Sequence, residues 1–459
     1  MSPFSRAFRR LGPAIHMLLV AMALTAVADS ARGQGFGGFG GQAVGGISID
    51  AGGMIRTLDP RVSAELAAER RAAIAAVEAG GGQAPLRKVS LARLLEAVER
   101  CSKSGEPLPP DLLFMGGLER ITHLFIDPDG HDIILAGPAD AVMIDEAGNV
   151  LAAKSGRPLL RLEDFIVALR SIDGVRSGGV RCSIDPSPEG VVKLQRYLRS
   201  LKGIGNDPDA TLRSMEDVLG PQTVSVGGVP ADSRFAHVLV AADYRMKRIG
   251  MGIEPSGVQA LPSYVSMVPP GGTTGATLPR FWLEAAYEPI VRDADELAWQ
   301  IKGRGMKCLT ESDMLAKGGT IERGRAPADA VAAKWCAAMT ANYDELARRQ
   351  PVFAELVNCV DLAVVAALIQ ARQLDSRAGI DLAPLRDAGR LSLPAYETPA
   401  TVSTVASGLK KGSRWIVTAS GGVQFQPWQF ATQTAESDEA CGSRLAALES
   451  RPADRWWWD

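Results

Sequence analysis

Val180-Arg181-Cys182-Ser183-Ile184, followed by Pro188-Glu189-Gly190-Val191-Val192-Lys193-Leu194-Gln195-Arg196-Tyr197-Leu198-Arg199-Ser200-Leu201, is the stretch on which the fold reading turns. Apolar and polar residues alternate in the first five, the period of a strand. In the second run Val191, Leu194, Tyr197, Leu198 and Leu201 recur at helical spacing and share one side. The alternation continues downstream. Thr223 to Val226 reads as a short strand, Ser233 to Ile249 as a helix, and Phe281 to Tyr287 and Glu296 to Leu309 as strands. Strands alternating with helices imply an α/β or α+β chain, a mixed sheet with helices packed on it.

Upstream, Ile49-Asp50-x-x-Gly53, Ile126-Asp127-x-x-Gly130 and Ile144-Asp145-x-x-Gly148 share one pattern. Asp opens the turn and Gly takes the left-handed position that closes it, so three β-hairpins are expected. Ser63 to Ala79 and Ser90 to Ser102 have helical spacing, with Leu91, Leu94, Leu95 and Val98 on one face. Downstream, two helices are expected over Pro327 to Arg349 and Pro351 to Arg372, each with Pro in its first turn. The short join at Gln350 implies a tight helical hairpin or a kinked rod. Ala395 to Phe430 reads as β.

The N-terminus has the grammar of a secretory signal. Arg6, Arg9 and Arg10 precede an apolar run from Ala14 to Val27, and Ala26-Val27-Ala28 is a small-x-small cleavage site. The run is shorter than the roughly 20 residues that span a bilayer, so cleavage is expected, with an uncleaved anchor as the alternative. Gly33 to Gly46, nearly all Gly, Gln, Phe and Ala, reads as a linker that contacts nothing. Its Gly35-x-Gly37-x-x-Gly40 lacks the preceding strand that a dinucleotide fingerprint needs. The expected order is therefore signal 1–28, linker 29–46, an N-terminal α/β region with hairpins 47–175 and a central α/β region 176–325. A helical hairpin 326–375, a β-rich region 376–440 and a tail 441–459 complete it.

The 459 residues carry a net charge of -2, with no basic excess to attract nucleic acid. No transmembrane helix is expected after signal removal; Val352 to Ile369 is interrupted by Glu355, Asn358 and Asp361 and reads as a buried helix. Six cysteines, at 101, 182, 308, 336, 359 and 441, form no Cys-x-x-Cys pair. Mostly free thiols are expected, with bridges as the alternative in an oxidising compartment.

Gly-x-Ser-x-Gly, His-Glu-x-x-His and Walker A patterns are all missing. Three local features remain. His123, Asp127, Asp129, His131 and Asp132 surround one turn; a hairpin is expected there, a Ca²⁺ site being the alternative because hard cations favour oxygen ligands. Asp361 shares a helical stripe with Val357, Val364, Val365 and Leu368, where a carboxylate must be paired or protonated, for structure or for catalysis. On the Ser233 to Ile249 helix, Phe235, Val238, Leu239, Ala242, Met246 and Ile249 form an apolar stripe. Arg234, His237, Tyr244, Arg245 and Arg248 lie opposite, either as a solvated face or as a grip for an anionic polymer or an acidic partner. The adjacent indoles of Trp456, Trp457 and Trp458 point different ways, so at least one is expected to stay available to a partner.

Val218-Leu219-Gly220-Pro221-Gln222 and Ala242-Asp243-Tyr244-Arg245-Met246-Lys247 resemble a family of exported planctomycete proteins. So do Asn342-Tyr343-Asp344-Glu345-Leu346 with Pro351-Val352-Phe353, and the Gly421-Gly422-Val423 turn. The resemblance runs from about Pro85 to Gln426. It implies export and a shared fold, and supplies no activity, catalytic residue, cofactor or metal. The reading that follows is an exported, envelope-associated or periplasmic binding or scaffold protein. Its partner would be a protein or an anionic envelope polymer. A carboxylate-dependent hydrolase of envelope polymers is the alternative.

Overall fold

The computed structural model describes residues 43–75, 81–201, 207–269, 277–315, 321–322, 329–406 and 418–459. The expected signal and residues 29–42 lie outside these. The fold is mixed α/β. Among the described residues, one sheet has ten strands in the spatial order Ala43–Val44, Ile47–Ile49, Met54–Thr57, Thr401–Val402, Gln222–Gly227, Val180–Pro186, Ser420–Phe425, Thr277–Tyr287, Gly303–Leu315, Ile321–Glu322. Two of its pairings are parallel, Met54–Thr57 with Thr401–Val402 and Thr277–Tyr287 with Ser420–Phe425; the others are antiparallel. A second sheet runs Thr434–Glu436, Ile290–Arg292, Ala298–Gln300, His123–Asp127, Asp132–Ala139, Ala84–Ser90, Trp457–Trp458.

The helix Arg234–Gly250 lies on the large sheet, against Val180–Pro186 and Ser420–Phe425. Phe235, Leu239, Ala242 and Met246, the expected packing residues, are fully buried. A buried ammonium fastens the helix to the sheet. Lys247 Nζ donates to Ile184 O at 2.6 Å, Gly421 O at 3.0 Å and Asp243 Oδ2 at 3.0 Å. Burial pushes the Asp243 carboxyl up to about 7 against the pull of Lys247. Gly421 and Gly422 lie within a strand, where a turn was expected. The sheet closes tightly there. A Cβ at Gly422 would lie 1.8 Å from Cys182 O, and one at Gly421, whose φ is +105°, would lie 2.1 Å from Phe281 O.

Above that helix lies the helix Pro351–Ala371. It is long and apolar enough to cross a membrane, but every residue from Val352 to Ile369 is buried in the fold. It also packs on the helices Leu162–Ser171, Pro427–Thr432 and Tyr343–Arg349. Tyr343–Arg349 joins it through Gln350, and the single helix expected over Pro327 to Arg349 is two among the described residues, Ala330–Ala341 and Tyr343–Arg349, broken at Asn342. One hydrophobic cluster includes residues from Val44 to Ala431, so the successive sequence regions share a core.

Local readings and structure diverge elsewhere too. The strand expected over Glu296 to Leu309 is two strands, Ala298–Gln300 and Gly303–Leu315, which belong to different sheets; the chain crosses between them at residues 301–302. Residues 43–46, the end of the expected linker, contain a strand paired to Ile47–Ile49, and Val44 is buried. Two of the Asp-x-x-Gly turns close as expected, with Gly53 at φ +77° and Gly148 at φ +83°. In the third, Asp127 pairs with Asp132, and His131 takes the left-handed position at φ +50°. Gly130 is needed there for space, since a Cβ would lie 2.2 Å from Asp127 Oδ2.

The tail is tied to the second sheet, with Trp456 and Trp457 half-buried and Trp458 buried. Trp457 and Trp458 pair with Val89 and Lys88 and form the last strand of the second sheet. Arg87 stacks on Trp457 at 4.4 Å and donates to Asp459 at 2.6 Å; Trp458 is buried and donates from Nε1 to Ser450 Oγ at 3.2 Å. Strand pairing directs adjacent indoles to opposite faces, and both faces have something to cover. Removal of residues 455–459 is therefore expected to lower the melting temperature markedly. Trp458→Ala alone is expected to cost about 3–5 kcal/mol in denaturant titration; unchanged midpoints for both would mean that the tail is not part of the core.

Candidate anion-binding site

A cavity of about 490 Å³ opens where three elements meet: the Gly45-Gly46 turn, the N-terminus of the long buried helix at Gln350–Val352, and the basic side of the Arg234–Gly250 helix. Arg70, Arg161, Arg234, Arg245 and Arg349 all line it. Gly45 and Gly46 make the closure, at φ +60° and +78°. A Cβ on Gly45 would lie 2.6 Å from Val352 Cγ2 and 2.8 Å from Ala241 Cβ, so only glycine lets this turn approach the helix.

The inner arginines are held by acids and carbonyls. Arg234 donates to Asp164 and, at 2.7 Å, to Glu355. Arg161 faces Glu163 at 3.6 Å, and Tyr396 donates to Glu163 at 3.1 Å. Arg70 reaches from the helix Pro60–Ala75 and donates from Nη1 to Gly148 O at 2.5 Å. Nearer the mouth, Arg245 pairs with Glu254 at 2.8 Å, while exposed Arg349 makes no ion pair among the described residues. Three of the five guanidiniums, Arg161, Arg234 and Arg245, thus meet four carboxylates, Glu163, Asp164, Glu254 and Glu355.

The electrostatics follow from crowding and burial. Burial, with Arg161 and Arg234 nearby, brings Arg70 down to about 10. Arg161 falls as well, through burial and then the charge of Arg234. Burial alone would lower Arg234, but Asp164 and Glu355 raise it. Burial lifts the Asp164 carboxyl to about 6 despite Arg234. Arg70 Nε, Arg245 Nε and Glu355 Oε2 are buried without a hydrogen-bond partner; Arg70 itself is 6% exposed. The helix above begins at Pro351 with no side-chain cap, so its positive dipole end faces the same space. This arrangement suits an anionic group.

The basic stripe read from the sequence is thus only partly surface. Arg234 and His237 are buried, and Tyr244, Arg245 and Arg248 are half-buried. The reason is that the helix lies between the sheet and a second helix, so its polar side faces protein too. His237 Nε2 donates to Glu397 O at 2.7 Å, and burial lowers its pKa. Arg248 shares Glu254 with Arg245 at 2.5 Å. Of the stripe, Arg234 and Arg245 reach the cavity. Sequence reading missed Arg70, Arg161 and Arg349, because three distant segments bring them in.

Neither carboxylate cluster provides a second site. Asp361 is fully buried and held by Arg120, Nε to Oδ2 at 2.7 Å and Nη2 to Oδ1 at 2.9 Å, while Tyr287 donates to Oδ1. At the hairpin, Arg451 takes both acids, Asp127 at 2.9 Å and Asp132 at 2.5 Å, and Ser90 also donates to Asp132 at 2.6 Å. No group of three or more metal-ligating side chains occurs among the described residues.

Residues 182–264 match a family described as a protein of unknown function, DUF1598. The match includes the strand Gln222–Gly227, the helix Arg234–Gly250 and, with it, Arg234 and Arg245. No curated protein and no solved structure matches the chain.

The Asp164 environment has a consequence for pH. Its folded pKa, about 6, lies above its ordinary 3.8, so the folded state holds the proton more tightly and this group's contribution to stability falls as pH rises from about 4 through about 6. Asp164→Asn removes that titration. The melting temperature of the variant minus that of the parent should rise across this window and level off above it; a difference independent of pH would contradict the assignment.

Proposed function

We propose that this is an exported binding or scaffold protein of the cell envelope, and that the arginine-lined cavity is where it holds an anionic ligand. The observation that carries the reading is the convergence of five arginines and an uncapped helix N-terminus on one cavity. The volume falls in the range of small-molecule sites, about 300–1,000 Å³. It suits a carboxylate- or phosphate-bearing small molecule, or the exposed acidic group of an envelope polymer. The signal-like N-terminus and the resemblance to exported planctomycete proteins support the location.

Binding rather than turnover fits the state of the buried acids. Asp361 has both oxygens engaged, and Glu355 and Asp164 each serve Arg234. The hydrolase reading needs a carboxylate free to move a proton beside a bound polymer; Asp361 is not one, while Asp164 and Glu355 are each ion-paired to Arg234 through one oxygen.

Calorimetry of the full chain with inorganic phosphate, citrate and polyglutamate tests the proposal. At least one should bind, raise the melting temperature and weaken with added salt. Arg349→Ala, at an exposed residue without an ion pair, should weaken that binding about tenfold while leaving the unliganded melting temperature unchanged. No binding by any of the three, or equal binding by the variant, would overturn the assignment. Release of fragments from envelope polymer would favour the hydrolase.

A further inference from the structure

Cys308 and Cys336 present their sulfurs to each other at 3.4 Å in the core. Cys308 lies in the strand Gly303–Leu315, opposite Leu283; Cys336 lies on the buried side of the helix Ala330–Ala341 with Ala332, Trp335 and Met339. Each cysteine is 3% exposed. Thr340 fixes the approach of the two backbones. Its Oγ1 accepts from Cys308 N at 2.8 Å and lies 2.9 Å from Cys336 O and 3.3 Å from Cys308 O. None of the other four cysteines has a sulfur partner among the described residues.

We propose that Cys308 and Cys336 are a covalent cross-link site, closing to a disulfide when the chain folds in the presence of a disulfide oxidant. The sulfurs must approach by about 1.4 Å to reach the bond length of about 2.05 Å. In the exchange one cysteine thiolate attacks the oxidant's disulfide and expels the first thiolate. The second cysteine then attacks the mixed disulfide and expels the other. The chain loses two protons and two electrons, and the oxidant leaves as two thiols. Burial raises the Cys308 thiol well above its usual range, so the folded protein reacts slowly. The bond forms while the helix is still undocked, and once buried it is shielded from reductants. It is a staple across 28 residues of sequence rather than a switch.

Refolding the full chain with reduced and oxidised glutathione, then mapping peptides without reduction, tests this. The expected result is one linked pair, the Cys308 peptide joined to the Cys336 peptide, two hydrogens lighter than the separate thiols. Four of the six thiols should then react in denaturant. The oxidised form should melt several degrees above the same protein after reduction under denaturing conditions. Cys336→Ala should leave all remaining thiols reactive. A variant lacking the other four cysteines should still cross-link, which keeps the proposal testable if Cys336→Ala does not fold. Six thiols reactive in denaturant after oxidative refolding, or Cys308 linked to another cysteine, would overturn it. The chemistry does not depend on the ligand reading. If the bond forms in vitro but protein from its own cells carries reduced thiols, export is wrong and the cross-link site stands.

Discussion

Three polar side chains in the buried apolar run of one helix set the position of what surrounds them. Glu355, Asn358 and Asp361 are buried on the helix Pro351–Ala371, and each meets a partner from a different part of the chain. Glu355 receives Arg234, Asn358 donates to Pro158 O at 3.0 Å, and Asp361 receives Arg120. A buried ion left without its partner costs several kcal/mol, far more than a displaced methyl group. An apolar helix slides and rotates among neighbours at little cost; this one has a single rotation and height at which all three groups are satisfied. The arginine cavity inherits its geometry from that constraint, because Gln350–Val352 and Glu355 are the first turns of the same helix.

The segment matched to the family of unknown function supplies the layer beneath. Its helix is fixed to the sheet by Lys247, which spans Ile184 O and Gly421 O, and its Arg234 rises from the opposite side to meet Glu355. One helix thus connects a lock on the sheet to the floor of the cavity. Asp243, Arg245 and Lys247, which stand together in the sequence motif, divide between these two tasks: Asp243 and Lys247 face the sheet, and Arg245 faces the cavity.

Much of the local structure was legible. Leu91, Leu94, Leu95 and Val98 bury the face that their spacing announces, with Ser90 capping the helix at Arg93 N and Gly105 ending it at φ +71°. Helix ends and hairpins are written in a few neighbouring residues. Sheet order is not: Thr401–Val402 lies between Met54–Thr57 and Gln222–Gly227 for reasons that no local window contains. The helix Arg234–Gly250 shows a different limit. A wheel with one apolar and one basic side describes a surface helix well, but here the basic side meets buried acids contributed from residues 163, 164 and 355. The site was half visible for that reason. Two of its five arginines, Arg234 and Arg245, stood on the basic stripe of one helix, and the other three could be placed only by the fold.

Among the described residues the outermost strands of both sheets are short. Ala43–Val44 and Ile321–Glu322 flank the large sheet, Thr434–Glu436 and Trp457–Trp458 the smaller one. A long flat border of unpaired backbone groups invites another chain to add a strand, the first step toward amyloid-like assembly. On the smaller sheet, borders of two or three residues offer few hydrogen bonds to an incoming strand, and Arg87 clamped on Trp457 and Asp459 keeps one of them occupied; on the large sheet Ile321–Glu322 pairs only with Met314 and Leu315 of its 13-residue neighbour. A protein with this much sheet and this little net charge has weak electrostatic protection against self-association, so its solubility at high local concentration depends on how its sheets end.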